Sequence, residues 1–307
     1  MAVDKVFYNK SSADSLGWTP EWFGADHFDE KLISNVKRWQ RARGLLADGL
    51  VGPTTYRRIW TDREAEISKH KPSEKSFDKH KIENEKISIV HNGKFIPIDW
   101  DKVILWSESG GLKADDGTYY DYAGKPDRAP TFFVNHWDVC LSSESCEKVL
   151  NNRGISVHFS IDNDGTIYQL LDTQHGAWHA GNGKANRASV GVEISNAYYL
   201  KHQSWYVDNG FGERPIQSGA EVHGGTLKDF TWFYPEQIAA LKALWAAIST
   251  GLNIPLEYPK NASGELCTTI HEECRKATFN GFCNHYNISK RKIDCAGLLL
   301  DELMEDL

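Results

Sequence analysis

Ser189-Val-Gly-Val-Glu-Ile-Ser-Asn196 places a single carboxylate, Glu193, inside a run that otherwise reads as a buried strand. A buried glutamate is costly in isolation, so it calls for a metal, a water or a cation beside it. A second run, Thr131-Phe-Phe-Val-Asn-His136, ends on a histidine, where a side chain can project from the end of a strand. Further out, Lys102-Val-Ile-Leu-Trp106, Ser156-Val-His-Phe-Ser-Ile161 and Gly165-Thr-Ile-Tyr-Gln-Leu-Leu171 have the same strand-like character. The stretch Pro235 to Leu252 instead carries Ile238, Leu241, Leu244, Trp245 and Ile248 on one helical face. This alternation predicts an α/β domain, a mixed central β-sheet flanked by helices.

At 307 residues the chain exceeds the usual span of one compact domain. Its front reads as helix, turn, helix between Phe28 and Trp60, with Leu32, Val36 and Trp39 at helical spacing. The turn, Gly44-Leu-Leu-Ala-Asp-Gly-Leu-Val-Gly-Pro-Thr-Thr55, offers Asp48-Gly49 for positive φ and Thr54 or Thr55 as a helix cap. After Thr61 the sequence turns charged and nearly free of apolar residues. The expected organisation is a small all-α domain at 1–65, a charged linker at 66–86 and the α/β domain at 87–307.

Composition narrows the partners. With 42 acidic against 35 basic residues and a net charge of −7, the chain has no basic field for a polyanion, so nucleic acid is not expected. The start, Met1-Ala-Val-Asp-Lys5, lacks a secretory apolar run, and no stretch of about 18 apolar residues could span a bilayer. The expectation is a protein made in a cytoplasm, without membrane insertion, that reaches an external target by lysis, a holin pore or an export machine. Six cysteines in a chain this long are not a disulfide framework, and most are expected as free thiols. Nothing calls for an oligomer.

A hydrolytic zinc site needs about three protein ligands, an open position for water, a carboxylate to take the water's proton and a cation or donor for the oxyanion. Four places supply such groups: His136 at its strand end, Glu193 within its strand, the loop Ala177-Trp-His-Ala-Gly181, and His285 followed by Lys292-Ile-Asp-Cys-Ala-Gly297.

As an ordered set, these pieces resemble the type-2 N-acetylmuramoyl-L-alanine amidases, a group that includes phage endolysins, wall-recycling amidases and animal peptidoglycan-recognition proteins. The resemblance rests on Asn135-His136, Val157-His-Phe-Ser-Ile161 with Asp164-Gly-Thr-Ile-Tyr168, Ala177 to Gly181, Ser189 to Glu193, and His285 with Lys292-Ile-Asp294. The front segment, over roughly residues 25–62, resembles the peptidoglycan-binding domain found beside many wall hydrolases, through Gln40, Gly44-Leu45, Asp48-Gly49 and Gly52-Pro-Thr54.

The resemblance implies one catalytic zinc ion held by His136, His285 and a third ligand from the last loop. Lys292 two places earlier favours Asp294, while Cys295 stands just before Ala296-Gly297, where a ligand is also found, so both remain open. Glu193 is then the general base and Lys292 the stabiliser of the oxyanion. His179 is expected to contact substrate near the metal, and His158 to support the ligands or to be a satisfied structural histidine. Where some relatives carry tyrosine just before that position, this chain has Val157. The implied substrate is bacterial peptidoglycan, glycan strand and peptide stem, cut at the amide between sugar and peptide. The implied setting is a phage endolysin, with a non-catalytic recognition protein, a recycling amidase and a delivered toxin as alternatives. Cys140 and Cys146 have the spacing of a disulfide in the animal relatives, against which stands an incidental pair of thiols. Ser107 to Arg128 and Leu200 to Phe230 read as long insertions near the cleft, assigned to peptide-stem or glycan selection.

Overall fold

The computed structural model describes residues 3–67, 75 and 87–307. The chain divides into two compact units, Met1–Lys71 and Pro72–Leu307. The first contains helices α1 (Lys5–Leu16), α2 (Glu30–Ala42) and α3 (Pro53–Ile67). Asp29 caps α2 by accepting from Leu32 N–H, and Leu32, Ile33 and Val36 are buried.

The turn after α2 is organised by one buried amide, Gln40. Its Nε2 donates to Asp48 Oδ1 (2.9 Å), Leu50 O (3.0 Å) and Thr55 Oγ1 (3.1 Å), and its Oε1 accepts from Gly49 N–H (2.9 Å). Gly49 sits at φ +79°, and a Cβ there would lie 2.9 Å from Ile33 Cγ2. Thr55 therefore serves Gln40 from within the first turn of α3, whereas a cap was expected of Thr54 or Thr55. The first helix, α1, was not foreseen: its inward position Asn9 is polar, bonding Gly49 O and Val51 N. Helix α3 runs to Ile67, two residues past the expected boundary at 65. The rest of the expected linker at 66–86 lies outside the described residues, except Lys75, whose Nζ donates to Asp162 and Asp164, both at 2.7 Å.

The second unit begins with a hairpin, β1 (Ser88–His91) and β2 (Lys94–Pro97), followed by β3 (Val103–Leu105) and β4 (Tyr119–Tyr120). Then come β5 (Phe132–Trp137), α4 (Ser143–Asn152), β6 (Phe159–Ile161), β7 (Ile167–Gln169), β8 (Gly176–Ala177), α5 (Gly183–Ala188) and β9 (Ser189–Ile194). The long connection holds α6 (Gln203–Asp208) and the short strands β10 (Ile216–Gln217), β11 (Glu221–Val222), β12 (Gly225–Thr226) and β13 (Phe230–Thr231). The chain closes with α7 (Pro235–Leu252), α8 (Glu272–Lys276), β14 (Gly281–Asn284), α9 (His285–Ile288) and α10 (Leu300–Met304).

Six strands form the central sheet in the order β14-β5-β9-β6-β7-β3. It is mixed: β6 and β7 pair antiparallel and the other neighbours run parallel. One face, with Phe133, Trp137, Phe159, Val190, Val192 and Ile194, packs on Leu241, Leu244, Trp245 and Ile248 of α7. The other buries Phe132 and Val134 against Ala180, Ala185 and Ile288. The run expected as a strand from Ser156 is one only from Phe159, because Gly191 N–H is given to the His158 ring (3.1 Å) rather than to a strand carbonyl.

Both insertions are built into the fold. The first supplies β4, which pairs with β8 beside the Ala177-Trp-His loop. The second buries Arg214, whose guanidinium reaches Asn163, Ser195 O (2.7 Å) and Trp232 O (2.8 Å). No described helix is long and apolar enough to cross a membrane.

Candidate metal centre and active site

Three neighbouring strands bring the site together at their carboxyl ends, the usual place for ligands in sheets of this kind. In the β5–β9 register His136 stands opposite Glu193, so both point away from the α7 face, and Asn284↔Asn135 in β14–β5 puts His285 just beyond the end of β14. The last loop returns Asp294 to the same point. His136 Nδ1 lies 2.8 Å from His285 Nδ1 and 3.1 Å from Asp294 Oδ2, and His285 Nδ1 lies 2.9 Å from that oxygen. All three residues are buried.

Two ring nitrogens and a carboxylate oxygen this close form a donor set of the kind that surrounds a metal ion. Bonds of ~2.0–2.1 Å at a tetrahedral centre set ligand atoms roughly 3.3 Å apart, near the distances found, so the donor set fits zinc in number, type and spacing. Burial alone would raise the Asp294 carboxyl, but the charge of His285, the close contacts with the His136 and His285 rings, and the charge of Lys292 hold it well below the usual carboxylate range. His136 is held below the ordinary histidine value by burial and then by the charge of His285. Both directions favour the anionic and neutral forms that ligate metal. Cys295, the other candidate for third ligand, packs in the apolar core, and burial pushes its thiol well up.

Glu193 is 5 % exposed, and its charge reaches His136. Lys292 is exposed on the closing loop; its charge reaches Asp294, and its backbone carbonyl accepts from His223 Nε2 at 2.8 Å. His179 is half-buried beside the site, with its Nδ1 3.0 Å from His136 Nε2 and its Nε2 3.1 Å from Ser189 Oγ. His158 is completely buried, with Nδ1 accepting from Gly191 N–H (3.1 Å) and Nε2 donating to His175 O (3.0 Å). Both of its nitrogens thus bond backbone groups, and Arg128 Nη2 lies 3.3 Å from Nε2.

Sequence reasoning missed two residues. Arg128 is buried beneath the histidines, clamping Ser189 O (2.8 Å) and Thr173 O (2.6 Å), and burial brings its guanidinium down to about 10. It stands in Pro126-Asp-Arg-Ala-Pro130, which has no apolar period to flag it. His223, in the β11–β12 turn, ties the second insertion to the Lys292 loop. A second group of possible ligands, Asp138, Cys140 and Cys146, lies under β5. The Asp138 carboxylate accepts from Cys140 N–H, Asn196 N–H and Ser195 Oγ–H, which accounts for its burial, and the two cysteines are not joined in a disulfide.

Comparison with known proteins bears on this arrangement. Residues 15–59 match a family described as a putative peptidoglycan binding domain. A Bacillus sp. protein, N-acetylmuramoyl-L-alanine amidase CwlA, is 39 % identical over 67 residues, 21 % of this chain and 26 % of that protein, so the match spans about a quarter of the relative's length. Among solved structures, the endolysin amidase LysCS from Clostridium intestinale is 16 % identical, with a TM-score of 0.34 over 62 % of this chain and 84 % of that one. Drosophila PGRP-LB is also 16 % identical, with a TM-score of 0.36 over 66 % and 92 %. The N-acetylmuramoyl-L-alanine amidase family matches residues 126–295, from just before the buried Arg128 through Asp294, and the chain belongs to that family.

Proposed function

We propose that this chain is a zinc-dependent peptidoglycan amidase that hydrolyses the amide between N-acetylmuramic acid and L-alanine. The observation that carries the reading is the meeting of His136, His285 and Asp294 donors within 2.8–3.1 Å, one strand away from the buried Glu193. His136, His285 and Asp294 would hold the ion, which when bound supplies Lewis acidity to the scissile carbonyl and to water. Glu193 takes a proton from the attacking water and delivers it to the leaving alanine nitrogen, a transfer along one edge of the sheet. Lys292 offers positive charge to the developing oxyanion. The rigid β5–β9 pair fixes Glu193 relative to His136, and the front unit, through its Gln40-centred turn, keeps the enzyme on the wall and raises local substrate concentration.

The pairing of a wall-binding module with a hydrolytic domain supports a lytic role of the endolysin kind, in which the enzyme acts on the wall after release from the cell that made it. The test is product analysis on purified peptidoglycan. Free amino-terminal alanine should appear without new reducing ends, and chelation should abolish its release. Reducing sugar as the product, or undiminished release after chelation, would rule the reading out.

A further inference from the structure

The hydrogen bonds around His179 fix where protons sit, because one end of the chain can only accept. The Ser189 hydroxyl donates to Ala185 O at 2.7 Å, so its oxygen faces His179 Nε2, 3.1 Å away, as an acceptor, and Nε2 carries the proton. The His179 ring then has a bare Nδ1. That bare Nδ1 lies 3.0 Å from His136 Nε2, which must donate to it. His136 is thereby left with its lone pair on Nδ1, the atom that faces His285 Nδ1 and Asp294 Oδ2.

The ring is also seated sterically: it lies on the strand at Gly191, where a Cβ would come within 2.5 Å of its Nδ1. Glycine in the middle of a strand packs poorly, and here it marks the close approach of another group.

We propose that His179 is a positioning residue: the relay Ala185 carbonyl, Ser189 hydroxyl, His179, His136 sets the tautomer and the ring plane of His136 and so presents its Nδ1 to a metal ion. The inference rests on the metal-centre reading above. It concerns the partner of a ligand, and such partners typically change metal affinity by about 10- to 100-fold.

The test uses the full chain and two readouts: zinc affinity by competition with a chelating indicator, and the tautomer of His136 by nitrogen-15 NMR of the metal-free protein. His179→Ala and Ser189→Ala should weaken zinc binding about 10- to 100-fold, while His179→Asn, whose amide oxygen can stand in for Nδ1, should stay within about threefold of wild type. In the wild type His136 should carry its proton on Nε2. Wild-type affinity in both His179→Ala and Ser189→Ala, or a proton on His136 Nδ1 in the wild type, would overturn the proposal. Should His179→Ala fail to fold, Ser189→Ala and His179→Asn carry the comparison. If the wild type itself bound no zinc, the metal reading would fall, and the NMR readout would still decide the relay.

Discussion

Replacing Gly191 by alanine adds one methyl group, and the structure indicates where it goes. The new Cβ would lie 2.5 Å from His179 Nδ1, 2.6 Å from Cε1 and 2.9 Å from Cγ, all closer than packed atoms approach. An imidazole is rigid, so relief requires the whole ring to move by roughly 1 Å to reach ordinary contact at about 3.5 Å. The His136 Nε2···His179 Nδ1 bond, 3.0 Å now, would stretch toward about 4 Å, beyond hydrogen-bond range. Overpacking of this kind costs about 1–3 kcal/mol, and the buried donor left on His136 about 1–3 kcal/mol more. For a domain of this size a total of about 2–6 kcal/mol lowers the melting temperature by roughly 4–24 °C. Calorimetry or dye-monitored melting of the metal-free protein measures this. A double-mutant cycle isolates the cause: with His179→Ala in place the ring is gone, and adding Gly191→Ala should cost less than about 0.5 kcal/mol. Equal cost in both backgrounds, or no cost in either, would refute the reasoning.

Other outcomes follow from the same geometry. Glu193→Gln keeps shape and removes the base; amidase turnover should fall by about 10²- to 10⁴-fold while zinc affinity stays near wild type, read by alanine release and metal titration. His158 is held neutral in the fold, by burial and then by the charge of Arg128, so its folded value lies well below the ordinary one. Above about pH 6.5 both folded and unfolded states are neutral there; as pH falls below that, only the unfolded chain takes up the proton, and stability drops by up to about 1.4 kcal/mol per pH unit until the folded value is reached. Melting temperatures from pH 7.5 to 5.5 should accordingly decline less steeply in His158→Gln than in wild type. In the front unit, Gln40→Ala orphans Gly49 N–H and loosens the turn; each group left unsatisfied costs roughly 1–3 kcal/mol. Wall pull-down should weaken, while hydrolysis of a soluble muramyl peptide should be unchanged.

The sequence announced those parts whose physics is local. The apolar runs at Phe132–Val134 and Val190–Ile194 and the one-sided helix Pro235–Leu252 declare themselves by period, and Glu193 stands out by being the wrong polarity for its run. The mixed sheet and the meeting of His136, His285 and Asp294 followed from such signals together with family resemblance. Strand β14, Gly281-Phe-Cys-Asn284, was invisible: four residues with glycine and asparagine at the ends carry no strand pattern, and only pairing with β5 makes it one. Helix α1 escaped because its buried positions are Asn9, a turn-binding polar residue, and the small Ala13. The place of His179 beside His136 depends on Gly191 of a neighbouring strand, and such cross-strand seating has no signature along the chain. The insertions looked like loops because their burial is bought by Arg128 and Arg214, residue types that rarely mark a core.

The measurement that bears most directly on the whole account is mass analysis of the products from a defined muramyl peptide, run with zinc-loaded wild type, metal-stripped wild type and zinc-loaded Glu193→Gln. The account predicts one cut, at the muramyl-to-alanine amide, made by the first sample alone and restored to the second by zinc. Cleavage at any other bond, or equal cleavage by all three samples, would contradict it.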